Sequence, residues 1–394
     1  MEKNHRTAFI VKDPKTYVSA EEAWYKFTRK KEGSFLFIII PKGDPNKAVK
    51  PLNNIIDKNK WEEIVWIETL SNYNPPELKL KKKSKYVYGK VLKFREYIYN
   101  KIDKLNIDKI AKKYKPLNKV FSGHKNTQEH LAASLEPNEL YLMDSGMTLG
   151  KIHNGGYIDY SRRFRRKRLR KIIFKLIGFK VFDRTKTKLF TVYADIADTK
   201  HELIKNEQDY KRDLIRGKKV DDYAVLISSP IYKMTKGVEL ASYISYLKTI
   251  IRVLEIDSSK MIYIPHPIKE SNEDISIIKN SIGCQIDSRL IPVEMKVVKN
   301  ETIPNLCISP CSTSIVNIAA ISEGKIRNCI VWHPEFNYFK FLVDWKNNAM
   351  NNDEVKIDFL QIDESDKLFH IDSDSNDDEP IFNNFKEWYI KTNL

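Results

Sequence analysis

The chain has 394 residues, 42% of them apolar and 11% aromatic, which is enough to build the cores of two or more domains. Its formal net charge of +16 favours a polyanionic partner or a membrane surface. The sequence contains no secretory apolar segment and no apolar run of about eighteen residues. We therefore expect a cytoplasmic protein, either soluble or peripheral on the inner face of the cell membrane.

Strand-like and helix-like segments alternate in the first part of the chain. A capping box of Ser19 and Glu22 predicts the start of the first helix. A long helix is predicted over 84–114, with Tyr88, Leu92, Tyr97 and Ile98 on its apolar face. Apolar runs predict strands over 7–11, 34–40, 63–67, 119–121 and up to Asp144. Alternation of this kind favours a parallel sheet with helices on both faces.

The second part of the chain resumes this alternation after a charged stretch at about 151–219. Helices are predicted over 238–253 and 272–280. A last helix is predicted over 381–394 and is expected to cross back towards the first half of the chain. Strands are predicted over 223–227, 261–264, 289–291, 306–308 and 329–331. The predicted fold class is therefore α/β, with two successive Rossmann-like halves.

The four cysteines, Cys284, Cys307, Cys311 and Cys329, all lie in the second half of the chain. Cys307 and Cys311 are four residues apart, but no further His or Cys pair completes a metal-binding set. We interpret all four as small buried apolar residues of a reducing compartment. No metal or cofactor is expected.

Polar groups follow three of the predicted strands directly. Asp144 precedes Ser145-Gly146, His266 stands between two prolines, and Ser312, Thr313 and Ser314 open a helix-like segment. Ligands of open α/β sheets bind at the carboxyl ends of the strands. A turn residue, a structural histidine and a helix N-cap are the ordinary roles of these residues, and His333-Pro334 offers a second histidine of the same kind.

The order of these motifs resembles that of the bacterial polysialyltransferases and related bacterial sialyltransferases, over about residues 121–319. Asp144-Ser145-Gly146 is similar to the family's acidic motif, with Ser145 in place of a second acid. His266-Pro267 is similar to the HP motif, and residues 312–314 to the later Ser/Thr pair. The resemblance implies a GT-B fold, in which two Rossmann-like domains face a central cleft, and CMP-sialic acid as the donor.

The resemblance also implies roles for single residues. Asp144 would be the catalytic base, and His266 would face the departing phosphate. The hydroxyls of Ser312, Thr313 and Ser314 would hold the same phosphate at a helix N-terminus. Apart from the resemblance, Glu294 follows a predicted strand and is placed to accept the ribose hydroxyls, although a first-turn helix residue is an equally good interpretation. No metal is required if these groups stabilise the charge of the leaving group.

A basic segment spans residues 161–171 and carries Arg162, Arg163, Arg165, Arg166, Arg168 and Arg170. It has three interpretations: a solvated helix face, a nucleic-acid-binding element, or a site for a polyanionic glycan or an anionic leaflet. Because a growing polysialic chain is itself a polyanion, we interpret the arginines as acceptor-binding residues.

These inferences predict an enzyme that elongates capsular polysialic acid. Sialic acid would pass with inversion from CMP-sialic acid to the non-reducing end of an oligo- or polysialic acceptor. Residues 1–190 would form the acceptor-side domain, with a basic insertion near 151–180, and residues 191–394 the CMP-sugar-binding domain. The expected partners are the membrane surface and capsule assembly proteins. No nucleic acid is expected to bind. The alternatives are a sialyltransferase that caps a lipooligosaccharide or other oligosaccharide, and a basic nucleic-acid-binding protein.

Overall fold

The computed structural model describes residues 6–42, 45–70, 82–123, 126–143, 178–180, 187–192, 202–234, 238–267, 269–310, 312, 314–332, 357–362 and 368–370. The chain divides into two compact units, Met1–Tyr210 and Lys211–Leu394. This boundary lies further along the chain than the predicted one between residues 190 and 191. The reason is that the last two strands of the first sheet, at Lys188–Thr191 and Leu203–Lys205, extend across the predicted boundary.

The first unit is a seven-stranded sheet with strand order β3-β2-β1-β4-β5-β6-β7, in which every pairing is parallel. Its strands are β1 (Thr7–Val11), β2 (Ser34–Pro41), β3 (Glu63–Thr69), β4 (Lys119–Ser122), β5 (Glu139–Met143), β6 (Lys188–Thr191) and β7 (Leu203–Lys205). Its helices are α1 (Pro14–Phe27), α2 (Pro45–Asn53), α3 (Lys82–Tyr114) and α4 (Asn126–Ser134), and α5 (Asp209–Arg216) crosses the boundary between the units.

The second unit is also a seven-stranded sheet, with strand order β10-β9-β8-β11-β12-β13-β14. All its pairings are parallel except that of the last two strands. Its strands are β8 (Val220–Ile227), β9 (Met261–Ile264), β10 (Gln285–Ile286), β11 (Ile303–Ser309), β12 (Arg327–Trp332), β13 (Asp358–Ile362) and β14 (Leu368–His370). Its further helices are α6 (Ile231–Met234), α7 (Leu240–Val253), α8 (Asn272–Ile282), α9 (Val293–Lys299) and α10 (Ser314–Ser322).

Both sheets have the same doubly wound arrangement. In each, the first strand of the unit lies between the second and the fourth, so successive strands are added first on one side of it and then on the other. In the first sheet, β1 and β2 are buried along nearly their whole length, as expected when helices cover both faces of a parallel sheet. The prediction of two Rossmann-like α/β units is thereby confirmed, and each sheet has one switch point in its strand order.

Two local predictions are wrong. The first helix begins at Pro14, not near Ser19, because Asp13 and Thr16 form the capping box and Pro14 occupies a first-turn position. Residues 289–291 do not form a strand, since β10 is the two-residue segment Gln285–Ile286 and a loop follows it.

Helix α3 is as long as predicted, but it packs through another face than expected. Ile107, Ala111 and Tyr114 lie in the core beneath the sheet, whereas Tyr97 and Ile98 are exposed. Tyr88 and Leu92 lie outside the described side chains. The face of α3 that packs against the rest of the first unit is therefore only partly apolar, because Asn100 and Asp103 are also buried on it.

Three of the four cysteines, Cys284, Cys307 and Cys329, are buried free thiols, as expected, and Cys311 lies outside the described residues. Burial raises the pKa of the Cys284 thiol to about 11, so this thiol is protonated at neutral pH. None of the described helices combines the length and the apolar character that crossing a bilayer requires.

Candidate functional site

The switch point of the second unit lies between the carboxyl ends of β8 and β11, and serine hydroxyls occupy it. Ser309 ends β11, and its buried hydroxyl donates to the carbonyl of Ile227 at 3.1 Å. The hydroxyl of Ser229, just past β8, lies 3.3 Å from that of Ser309. These contacts hold the two strand ends together at the place where doubly wound sheets bind ligands.

The loop from β11 into α10 is anchored on the same serine. The backbone N–H of Ser312 donates to the hydroxyl of Ser309 at 2.8 Å, and the N–H of Ser314 lies 3.3 Å from the hydroxyl of Ser312. Helix α10 begins at Ser314, so its first-turn amides and the half-buried hydroxyls of Ser312 and Ser314 lie at one end of one helix. Such an end favours an anionic ligand.

His266 lies two residues past the end of β9, and Glu270 holds its backbone. One carboxylate oxygen of Glu270 accepts the backbone N–H of His266 at 2.6 Å, and the other accepts the hydroxyl of Tyr263 at 2.6 Å. The imidazole Nδ1 accepts the backbone N–H of Lys269 at 3.3 Å. Because Nδ1 accepts this bond, a neutral ring carries its proton at Nε2.

Glu294 lies in the first turn of α9, after a loop and not directly after a strand. It is mostly buried, and its carboxylate accepts a hydrogen bond from the side-chain amide of Asn317 on α10. Asn317 is three residues after Ser314, on the same helix. The structure therefore brings Glu294 close to the hydroxyl cluster, as the interpretation of a ribose-binding carboxylate requires, while its first-turn position also agrees with the structural interpretation.

His266 and the hydroxyl cluster flank the central strand of this sheet. Strand β8 pairs with β9 on one side and with β11 on the other. Neighbouring strands are about 4.8 Å apart, so the ends of β9 and β11 are separated by about 10 Å. A ligand seated over the end of β8 can reach both. The edge offers serine hydroxyls, an imidazole and the N-terminus of α10, a set that suits a phosphate group.

Helix α9 also carries a buried lysine beneath this edge. The ammonium of Lys296 donates to the backbone carbonyl of Asp287 at 2.6 Å and lies 3.4 Å from its carboxylate. Burial lowers the pKa of Lys296 to about 8.

Lys296 should make the stability of the protein depend on pH. Its folded pKa lies below the ordinary value of about 10.4, so the unfolded chain binds more protons between about pH 8 and pH 10.4. The free energy of unfolding should therefore rise through that window, by at most about 3 kcal/mol from this group. Urea unfolding of wild type and Lys296→Met at pH 7.0 and 9.5 measures the difference. Equal pH slopes in both proteins would contradict the assignment.

Several predicted site residues lie outside the described residues. They are Asp144, which directly follows β5 in sequence, Thr313, and the arginines Arg162, Arg163, Arg165, Arg166, Arg168 and Arg170. The insertion near 151–180, apart from residues 178–180, and the helix predicted at 381–394 also lie outside.

Sequence reasoning missed four residues of this site: Ser229, Ser309, Glu270 and Tyr263. For the two serines a signal was present, since Ile227-Ser228-Ser229-Pro230 and Ile308-Ser309-Pro310 both place serine at the end of an apolar strand. The role of Glu270 depends on the fold of the loop after β9, so no sequence pattern indicated it.

Comparison with known proteins gives structural similarity alone. No protein-family model matches the chain, and no curated protein matches it by sequence. The GT-B domain of a sialyltransferase from Photobacterium damselae is 12% identical, over 90% of this chain and 99% of that chain, with a TM-score of 0.46. A glycosyl transferase of family 9 from Veillonella parvula is 9% identical, over 98% and 90%, with a TM-score of 0.37. At these TM-scores the similarities carry no argument about activity or substrate.

Proposed function

We propose that this protein is a glycosyltransferase of GT-B type that elongates polysialic acid from CMP-sialic acid. The observation that carries the proposal is the carboxyl edge of the second sheet. There, His266, the hydroxyl of Ser312 and the start of α10 at Ser314 flank the switch point, and this set is suited to a phosphate. The order of the acidic, HP and Ser/Thr motifs supports the choice of a sialyl donor.

The proposed reaction is an inverting displacement. The acceptor hydroxyl attacks C2 of the donor sugar while Asp144 takes its proton. The bond between C2 and the phosphate oxygen breaks, and CMP leaves with the electron pair. His266 and the start of α10 stabilise the charge that develops on the phosphate, so the proposed transfer needs no metal. Glu294 accepts the ribose hydroxyls.

Chain-length analysis tests the proposal directly. The protein is incubated with CMP-sialic acid, with and without an oligosialic primer, and the products are separated by length. A ladder of products longer than the primer supports elongation. Addition of one residue to a neutral oligosaccharide, without elongation of the primer, would indicate a capping sialyltransferase, and no release of CMP under any condition would reject the proposal.

Ser312→Ala should weaken donor binding more than it slows transfer of bound donor. A charge-assisted hydrogen bond is worth about 1–3 kcal/mol, so CMP affinity should fall at least several-fold. Calorimetric titration with CMP measures this effect. Ser322→Ala is the matched control, because this hydroxyl lies at the other end of α10 and bonds to the carbonyl of Ala319. Equal losses in both variants would mean that helix stability is responsible.

The arginines of residues 162–170 are proposed to bind the growing chain. Changing Arg165, Arg166 and Arg168 to Gln should slow elongation of long primers more than of short ones, because a long polyanion spans several cationic sites. The difference should shrink as salt rises, since exposed charges are screened beyond about 10 Å at 0.1 M. The control variant changes two exposed cations of the second unit, Lys248 and Lys279, to Gln. Equal losses at every primer length would contradict this role.

We also propose that the enzyme works on the inner face of the cell membrane, together with capsule assembly proteins. An enzyme at this surface would meet a membrane-anchored acceptor.

A further inference from the structure

The outward face of α3 is an unusual exposed surface. Leu105 is 59% exposed, and Tyr97, Ile98 and Ile102 are each 38–39% exposed. Four of the nine exposed large apolar side chains among the described residues thus lie within nine residues of one helix. Single exposed apolar residues are ordinary, whereas a cluster on one face indicates an interaction surface.

Helical geometry places Ile98, Ile102 and Leu105 along one line, because residues three and four apart share a face. The buried residues Ile107, Ala111 and Tyr114 occupy the opposite face, where they pack in the core of the first unit. The exposed line is therefore not part of that core. We call Ile98, Ile102 and Leu105, with the lysines described next, the outer stripe.

The charges of the outer stripe all have one sign. Lys101, Lys109 and Lys112 are exposed and fall on the same face as the three apolar residues. Two acidic residues lie in this part of α3, and only Asp108, three residues after Leu105 and four before Lys112, borders the same face. Asp103 is buried, and Asp108 is engaged by Lys104 at 2.6 Å and by His130 at 3.1 Å. Among the described side chains of α3, the outer stripe is thus apolar and net cationic, since the one acid at its edge is already paired with Lys104 and His130.

We propose that the outer stripe of α3 binds the surface of an anionic lipid bilayer. The helix would lie in the plane of the interface, with Ile98, Ile102 and Leu105 between the headgroups and the lysine ammonium groups reaching the lipid phosphates. The inference deepens the proposed location of the enzyme and rests on that location, not on the identity of the donor or the acceptor.

Two other occupants fit the outer stripe less well. A second copy of the chain, related by a two-fold axis, would place the lysines of one stripe against those of the other, and the like charges would repel. A protein partner is usually held by side chains anchored in pockets, whereas the outer stripe is the convex surface of one helix. A fluid anionic surface matches both its shape and its charge.

Vesicle binding tests the proposal on the full chain without any substrate. Wild-type protein should sediment with vesicles that contain phosphatidylglycerol and much less with vesicles of phosphatidylcholine alone. Combining Ile98→Ser, Ile102→Ser and Leu105→Ser should lower the affinity for the anionic vesicles at least tenfold. Combining Lys101→Gln, Lys109→Gln and Lys112→Gln should lower it about fivefold per lysine, most strongly at low salt.

The matched control is Ile277→Ser with Leu290→Ser, two residues of the second unit that are 42% and 43% exposed. These changes should leave vesicle binding as in wild type. Size-exclusion chromatography and thermal unfolding of each variant detect self-association or loss of folding. Unchanged vesicle binding in the serine triple variant, or a dimer that only this variant abolishes, would overturn the proposal. Sialyl transfer to a soluble primer, measured separately, reports on the proposed activity alone.

Discussion

Asp144→Asn should remove nearly all transfer of sialic acid while the protein keeps its fold and its affinity for CMP. The amide has the shape of the carboxylate but cannot take the proton of the acceptor hydroxyl. General base catalysis is typically worth about 10²–10⁴-fold in rate, so turnover should fall by that factor. The rate of CMP release in the presence of a primer measures turnover, and calorimetric titration measures CMP affinity.

Asp13→Asn is the matched control for this substitution. Asp13 also follows a strand of the first sheet, and its side chain accepts the backbone N–H of Thr16 at the start of α1. Asparagine caps helices as well as aspartate does, so this variant should be as active and stable as wild type. If Asp144→Asn turned over at a normal rate, another base would act, and Glu129 and His124 would be the next candidates to substitute.

His266→Ala should lower turnover by about 10²–10³-fold, because it removes a donor that stabilises the charge of the departing phosphate. The imidazole is oriented by the backbone N–H of Lys269, and the loop that carries it is fixed by Glu270. Glu270→Gln should therefore produce a smaller loss of the same kind, since one of the two hydrogen bonds to its carboxylate must weaken. Steady-state rates at saturating primer and donor separate these losses from weaker binding.

The second histidine before a proline provides the comparison. His333→Ala should leave activity unchanged unless it also lowers the midpoint of thermal unfolding. Normal turnover in His266→Ala together with a large loss in His333→Ala, at unchanged stability, would show that the HP motif belongs to the strand before His333.

The sequence by itself predicted nine of the fourteen described strands and their alternation with helices, but it missed the short strands β6, β7, β13 and β14. Strands such as β2 are buried on both faces, so they appear as uninterrupted apolar runs, and no packing information is needed to find them. Local sequence patterns predicted the ends of helices less reliably. Ser19 and Glu22 have the spacing of a capping box, but the earlier pair Asp13 and Thr16 forms it, helped by Pro14. The two-residue strand β10 was missed because so short a segment has no periodicity.

Only the tertiary structure decided which strand ends are neighbours. The sequence predicted polar residues after β9 and β11, but the order β9-β8-β11 makes Ser229 and Ser309 the centre of the site. Likewise, α3 has apolar residues on more than one face, and contact with α4 and the sheet selects Ile107 and Ala111 for burial while leaving Ile98 and Leu105 exposed. Periodicity depends on residues a few positions apart, whereas strand order and burial depend on contacts between segments far apart in the chain, and a single sequence does not specify those contacts by any local pattern.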